Sequence, residues 1–498
     1  MSAMVDAFVA LAAPWPLFYL TLGTALGIVI GAIPGLTASM LIALTLPLTF
    51  SMEPTHAMTL LIGEYVGGIS GGLIAATLLR MPGTPASIMT TFDGFPMAQQ
   101  GRGERALGLG IAASFFGGVV SWAFLAVLSP PLARLALSFG PWEYFTLVLM
   151  ALVMLASLSQ GSMVKGLIAA CLGMLFAMPG IDPSIGQLRL TFGFNDLTGG
   201  LNLLPVLIGT FAVSQIIKDV LTLGTPLPRV DVRGHGVVIG WRDLLGHFPN
   251  LARSSVIGTW IGLLPGIGGN IAAMMAYATA RQVSKTPEKF GTGHEPGVVA
   301  AETANNASIG GALIPLITMG IPGSVTEAIL IGALIIHNLQ PGPLLFATNP
   351  EIAYGVIASY LAANIVMIVM MLAAVSYIAR VMYLPRAFLI SAILLFCVVG
   401  TFALNNRFFD VWVMLGFGII GFCLERVKVP LGPFVIGFVL APIAEEQFRA
   451  GMMSAAGDVT AIFTRPFATT FLLVSLATLA WPFVAEHRRR RATPKETS

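Results

Sequence analysis

G-T-A-L-G-I-V-I-G-A-I-P-G-L-T, residues Gly23 to Thr37, decides the class of fold. Glycines recur at positions 23, 27, 31 and 35, a spacing that leaves one face of an apolar helix without side chains. Pro34 and Gly35 then stop that helix inside a hydrophobic run, because proline has no N–H to continue the ladder. The figure returns as G-T-W-I-G-L-L-P-G, Gly258 to Gly266. Gly27, Gly31, Pro34 and Gly35 map onto Gly258, Gly262, Pro265 and Gly266 at one offset of 231 residues, which points to an internal duplication.

Composition agrees with a membrane setting for these helices. Of 498 residues, 56% are hydrophobic and only 10% are charged, and so much apolar surface cannot be hidden in one soluble core. Apolar runs long enough to cross a bilayer recur throughout, so helices rather than a β-barrel are indicated. The chain reads as an all-α polytopic integral membrane protein of about 10–12 transmembrane helices, some broken or re-entrant, in two internal repeats. Cys171, Cys397 and Cys423 lie in apolar runs without metal-type spacing and read as small core residues. No Lys or Arg precedes Arg80, whereas Arg488 to Arg491 and Lys495 crowd the other end. The positive-inside rule therefore puts the C-terminal tail in the cytoplasm.

In order, the chain divides into a first transmembrane repeat over 16–222, a polar linker over 223–253, and a second repeat over 254–444. A C-terminal segment with a last helix covers 445–485, and a basic tail covers 486–498. Each repeat carries a second Pro-Gly break after its ladder. Gly71-Gly72 leads to P-G-T-P-A-S at Pro82 to Ser87, and Gly310-Gly311 leads to G-I-P-G-S at Gly320 to Ser324.

A break in a membrane helix frees backbone groups that are costly to leave unpaired in hydrocarbon. Paired breaks at corresponding places in two repeats mark the binding site of a secondary transporter. Half-helix N-termini suit an anion, and freed carbonyls and hydroxyls suit sodium. The expected site residues are Pro34, Gly35 and Thr37, then Pro82, Gly83, Thr84, Ser87 and Asp93 in the first half. In the second half they are Pro265, Gly266, Gly268, Asn270, Glu302, Asn305, Asn306, Pro322, Gly323, Ser324 and Thr326. Bland readings stand beside these. The glycines serve close helix packing, Asp93 forms a turn, Glu64 and Glu327 face neighbouring helices, and Arg80 snorkels to an interface.

Gly68 to Gly72 formally matches G-x-S-x-G but lies in a membrane helix rather than at a strand-turn-helix elbow. There is no phosphate-binding loop and no H-E-x-x-H. No catalytic residue and no cofactor is expected, nor any nucleic-acid partner, and energy has to come from an ion gradient or another subunit.

G-x-x-P-G-L-T at Gly31–Thr37, P-G-T-P-A-S at Pro82–Ser87, D-G-F-P-M-A at Asp93–Ala98, L-P-G-I-G-G at Leu264–Gly269, E-x-x-N-N-A at Glu302–Ala307 and G-I-P-G-S at Gly320–Ser324 together resemble one family. It is the large membrane subunit of the tripartite tricarboxylate transporters, the TctA family, and the likeness covers about residues 15 to 480. That family often has an Asn just before the first P-G-T-P, where this chain has Arg80-Met81. The resemblance implies a bacterial inner-membrane permease with two repeats of opposite topology. It implies two partners, a small four-helix membrane subunit and a periplasmic solute-binding protein. The expected substrates are di- and tricarboxylates such as citrate, with sodium as the coupling ion, its ligands unassigned. A channel, a scaffold, or an anion transporter acting without a binding protein are the alternatives.

Overall fold

The computed structural model describes residues 2–158, 162–182, 185–221, 237, 240–381 and 386–492. About half of the expected linker, residues 223–236 and 238–239, lies outside these, as do position 222 and the last six residues of the basic tail. Among the described residues, twenty α-helices follow one another, with short 3-10 turns and one two-residue antiparallel pair, Gly180–Ile181 with Leu188–Arg189. Among the described residues, seven helices are long and apolar enough to cross a membrane, and shorter apolar helices accompany them. The chain is thus an all-α polytopic membrane protein.

By packing, the chain forms two compact units, residues 1–137 with 202–424 and residues 138–201 with 425–498. The first contains α1 (Ser2–Leu11), α2 (Pro14–Ala32), α3 (Ala38–Thr49), α4 (Pro54–Leu79), α5 (Ile88–Gln99) and α6 (Gly103–Ala136). The second takes α7 (Pro141–Leu158) and α8 (Met163–Phe176). The first unit resumes with α9 (Leu203–Ile208) and α10 (Ser214–Leu221), joined through a π-helical turn, Gly209–Val213. It continues with α11 (Trp241–Leu263), α12 (Gly268–Val283), α13 (Glu295–Met319), α14 (Val325–Ile336) and α15 (Pro343–Thr348), then α16 (Pro350–Val381), α17 (Arg386–Asn405) and α18 (Phe408–Arg426). The second unit closes with α19 (Leu431–Ser454) and α20 (Pro466–Ala492).

Some boundaries differ from the sequence reading. Residues 241–253, expected in the linker, are the polar first half of α11, and α19 runs unbroken through position 444. The last helix continues to Ala492 rather than ending at 485. Polarity of sequence marks loops poorly where a helix begins outside hydrocarbon. Cys171 and Cys423 are exposed on helix surfaces rather than packed in a core, and only Cys397 is buried.

Both ladders pack backbone to backbone. Gly23, Gly27 and Gly31 of α2 sit against the carbonyls of Leu60, Glu64 and Gly68 on α4, while Gly63, Gly67 and Gly71 of α4 answer against Leu20, Thr24 and Ile28. A methyl at Gly27 would lie 2.5 Å from the Glu64 oxygen, so an alanine there needs the helices to part. In the later half, Gly258 and Gly262 of α11 meet the Ala304 and Ser308 carbonyls of α13, and Gly311 meets Thr259.

Each ladder ends at its break for a local reason. The N–H of Ile33 bonds back to Ile30, Pro34 cannot continue, and Gly35 takes a φ of 94°. Gly266 takes a φ of 82° at the equivalent place. Side-chain caps start α3 after the first ladder and α14 after the Pro322-Gly323 break, whereas α12 begins without one. Thr37 Oγ1 accepts the Met40 N–H at 3.2 Å, and Ser324 Oγ accepts the Thr326 N–H at 3.2 Å.

In the second unit, α8 buries Gly166, Ala169, Ala170 and Gly173, with Gly173 against the backbone of Phe434 on α19. Arg189 and Arg449 share the carboxylates of Asp182 and Glu445. This cluster borders a cavity of about 670 Å³ lined largely by apolar side chains such as Phe145, Met174, Met178 and Phe448.

Candidate functional site

Four helices begin at the four breaks: α3 after Pro34-Gly35, α5 after Pro82-Gly83, α12 after Pro265-Gly266 and α14 after Pro322-Gly323. Each presents unpaired N–H groups and the positive end of its dipole. The folding of the first unit joins them in pairs. Gly266 N–H donates to the Gly323 carbonyl at 2.8 Å. Gly83 rests on the Gly31 carbonyl and on Gly72, and Gly323 rests likewise on Ala312 and the Gly262 carbonyl. Sequence alone reads Gly83, Gly266 and Gly323 as points where a ligand meets backbone. Here the bare faces of Gly83 and Gly323 receive other parts of the protein, and the Gly266 N–H fastens one break to the next.

The breaks are also brought together across the two halves. Ser39 Oγ, in the first turn of α3, lies 2.7 Å from Thr326 Oγ1 in the first turn of α14. At the complementary place, Gly269 in the first turn of α12 faces Ala86 of the turn leading into α5. A Cβ on Gly269 would be 3.4 Å from Ala86 Cβ, 3.0 Å from Asn305 Oδ1 and 2.9 Å from Ser308 Oγ. Gly268 faces Ser324 in turn. Thr84 and Ser87 are buried, bonded to each other at 3.0 Å, and packed on Gly72. Pro34, Thr37, Ser39, Pro82, Gly268, Asn270 and Ser324 are half-buried, Gly35 is exposed, and Pro265 and Pro322 are buried. No lysine or arginine is hydrogen-bonded or ion-paired to these hydroxyls and amides among the described residues.

Asn305 stands out among the polar residues expected at the site. Its side chain is 1% exposed, and neither its Nδ2 nor its Oδ1 makes a hydrogen bond. The Glu302 carboxyl one turn earlier is near enough to feel the amide, but bond geometry is not met. Buried amides without partners are uncommon and call for an explanation such as a ligand. The neighbouring residues are satisfied. Asn306 accepts from Ser70 Oγ at 2.7 Å and donates to the Glu302 carbonyl at 3.3 Å, while its own carbonyl accepts from Tyr360 at 3.0 Å. Glu302 accepts from Thr90 at 2.5 Å and from Ser114 at 3.3 Å.

Asp93 is not brought to the breaks. Its Oδ1 accepts the backbone N–H groups of Gly291, Gly293 and His294 at 2.8–3.0 Å, and its Oδ2 accepts from Tyr277 at 2.8 Å. The carboxylate fastens α5 to the loop before α13. Beside it, Arg105 bridges Asp243 and Glu295, tying the starts of α6, α11 and α13. The Arg105 guanidinium, with the Gly240 N–H behind it, holds the Asp243 carboxyl down at about 2.

Two further carboxylates lie in the interior of the first unit. Glu64 accepts from Thr45 at 2.7 Å through one oxygen, and its other oxygen has no partner. Glu327 accepts from the Tyr65 hydroxyl and leaves Oε2 without a partner. Sequence reasoning missed Tyr65, Ser70, Thr90, Ser114, Ser308 and Tyr360. Their only sequence signal is a hydroxyl within an apolar run.

Broken helices, close glycine packing and hydroxyl-lined half-helix ends define a membrane transport component rather than a soluble enzyme. Residues 17–436 match the model of the tripartite tricarboxylate transporter TctA family, and the chain belongs to that family. It is therefore a membrane component of a tripartite transporter. A protein of Agrobacterium vitis described as an uncharacterized 52.8 kDa protein in the TAR-I ttuC′ 3′ region is 34% identical over 469 residues, which is 94% of this chain and 93% of the relative. A second Agrobacterium vitis protein, uncharacterized and in the TAR-II ttuC′ 3′ region, is 34% identical over 234 residues, 47% of this chain and 97% of the relative. No solved structure matches the chain.

Proposed function

We propose that this chain is the permease of a binding-protein-dependent importer of di- and tricarboxylates, citrate-like organic anions, driven by sodium symport. The observation that carries the proposal is Asn305, buried with both polar atoms unpaired beside the first turn of α12 and the turn before α5. An amide offers an N–H to a carboxylate and an oxygen to sodium. Its setting adds the positive ends of half-helices, which attract an anion without a fixed cation that would hold it too tightly. Sodium, as co-transported cargo, would find oxygens in Asn305 Oδ1 and Ser308 Oγ, both facing Gly269. Asn306, fully bonded, serves to hold α4 against α13.

The matched packing of the two ladders, and the exchange in which α3 meets α14 while α12 meets the turn before α5, support two repeats related by a two-fold axis. In such proteins the axis lies in the membrane plane and the halves are inverted. The proposal includes an inner-membrane location, a small four-helix membrane subunit and a periplasmic solute-binding protein that delivers the anion, all in keeping with the family, and a cytoplasmic C-terminus, in keeping with its basic tail. The test is uptake of radiolabelled citrate, malate and succinate by proteoliposomes holding this chain and the small subunit, with and without binding protein and a sodium gradient. Dependence on both supports the proposal. Conductance without uphill uptake, or uptake indifferent to the binding protein, refutes it.

A further inference from the structure

The two ladders align Tyr65 of α4 with Asn305 of α13, since Gly27 rests on Glu64 and Gly258 rests on Ala304, the residue before each. One of these equivalent positions waits for a ligand and the other already faces a carboxylate. Tyr65 donates to Glu327, one helical turn past the Pro322-Gly323 break. Glu327 is fully buried, and its Oε2 has no hydrogen-bond partner. Ser324, the cap of the same helix, is close enough to act on the carboxyl.

Among the described residues no cation is bonded to this group, since His56 of α4 pairs with Glu53, and Glu295 of α13 pairs with Arg105. α3, α4, α9 and α13 pack against α14. α3 and α9 carry no ionisable residue. From α4 come Tyr65 and Glu64, whose carboxyl goes to Thr45, and from α13 comes Glu302, bonded to Thr90 and Ser114. Tyr360 of α16 faces Tyr65 but bonds Ser121 and the Asn306 carbonyl. On α14 itself, His337 stands at the far end. An ionised carboxylate in such a place, with the Tyr65 hydroxyl bonded to it and Ser324 beside it but no cation, costs far more than the neutral acid.

We propose that the Glu327 carboxyl is a proton-binding site whose loading permits an anion to bind at the Pro322-Gly323 break. The inference rests on the transporter reading above and adds a proton to the cargo. With Glu327 ionised, an anion at the N-terminus of α14 meets a like charge one turn away. With Glu327 protonated, that repulsion is gone and the helix dipole acts alone. The proton comes from water on the side where the anion enters and returns to water on the other, with no bond made or broken except O–H.

The experiment uses proteoliposomes of the full complex at saturating sodium, loaded with a pH-sensitive dye and clamped in voltage, and whichever of citrate, malate or succinate the wild type takes up. Wild-type uptake should acidify the lumen. Glu327→Gln, fixed in the neutral form, should lose net uptake and acidification by about tenfold or more, a typical coupling between two bound ions. It should keep anion exchange, which needs no proton release. Tyr65→Phe, which removes the donor favouring the ionised form, should move the pH profile of uptake to higher pH. Wild-type uptake without acidification, acidification retained in Glu327→Gln, loss of exchange together with net uptake, or an unmoved Tyr65→Phe profile each overturns the inference while leaving the transporter reading intact. Absence of any wild-type uptake sinks that reading itself.

Discussion

Replacing Asn305 by leucine separates a binding residue from a structural one, because the two roles predict different changes in stability and affinity. Leucine shares the Cγ branch of asparagine but carries bulkier methyls in place of the amide atoms, so it presses on Ala86, Gly269 and Ser308 at a cost of about 1–3 kcal/mol. In the folded protein the Asn305 amide has lost water without gaining a hydrogen bond, which costs about 1–3 kcal/mol. The nearby Glu302 recovers part of this, and the bulk of leucine offsets the rest, so Asn305→Leu should stay within about 1 kcal/mol of wild type. Removing a hydrogen bond to a charged ligand costs about 1.5–3 kcal/mol, so half-saturation for the anion or for sodium should rise about 10- to 150-fold. Asn306→Leu is the contrast. It takes the acceptor from Ser70 and should destabilise by about 1–3 kcal/mol. The assay pairs melting in detergent with uptake by proteoliposomes. Asn305→Leu melting as far below wild type as Asn306→Leu, with half-saturation constants unchanged, would refute a ligand-binding role.

Gly323→Leu should abolish uptake while leaving membrane insertion intact, because a side chain there strikes Ala312 and the Gly262 carbonyl where two breaks are joined; normal uptake at normal protein level would count against that junction. Asp93→Asn weakens charge-assisted bonds to three backbone N–H groups and should cost about 2–4 kcal/mol, read as faster proteolysis in the loop before α13. Asp243 lies in the polar first turn of α11, and Arg105 holds its folded pKa below the unfolded value. Its contribution is therefore complete above about pH 4 and lost as pH falls toward about 2. Wild type and Asp243→Asn should differ in melting temperature by a constant amount at neutral pH, with the gap closing over that acid range. A gap that persists at the acid end would mean that Arg105 does not act through this charge.

Much of the site was legible because its signals are local. Pro34-Gly35 and Pro265-Gly266 break helices by backbone chemistry that any reader of the chain can see. Their hydroxyl neighbours Thr37, Thr84 and Ser324 follow within a few residues. Roles were less legible. Asp93 and Asn306 look like ligand groups in one dimension but find all their partners within the protein. Tyr65 gave no signal, since its partner Glu327 is 262 residues away.

By itself the sequence determined that this is a helical membrane protein of the TctA family, with two glycine ladders each followed by two Pro-Gly breaks. Hydropathy, proline and glycine act on their own stretch of chain, so their consequences need no knowledge of the rest. Only the tertiary structure decided which break touches which. It set Ser39 on Thr326, Thr90 on Glu302 and Tyr65 on Glu327, and it left Asn305 alone. It also gathered α7 and α8 with α19 and α20 into a unit of their own. These pairings depend on how close two helices can come, and that distance is fixed by glycines facing a carbonyl far away in sequence.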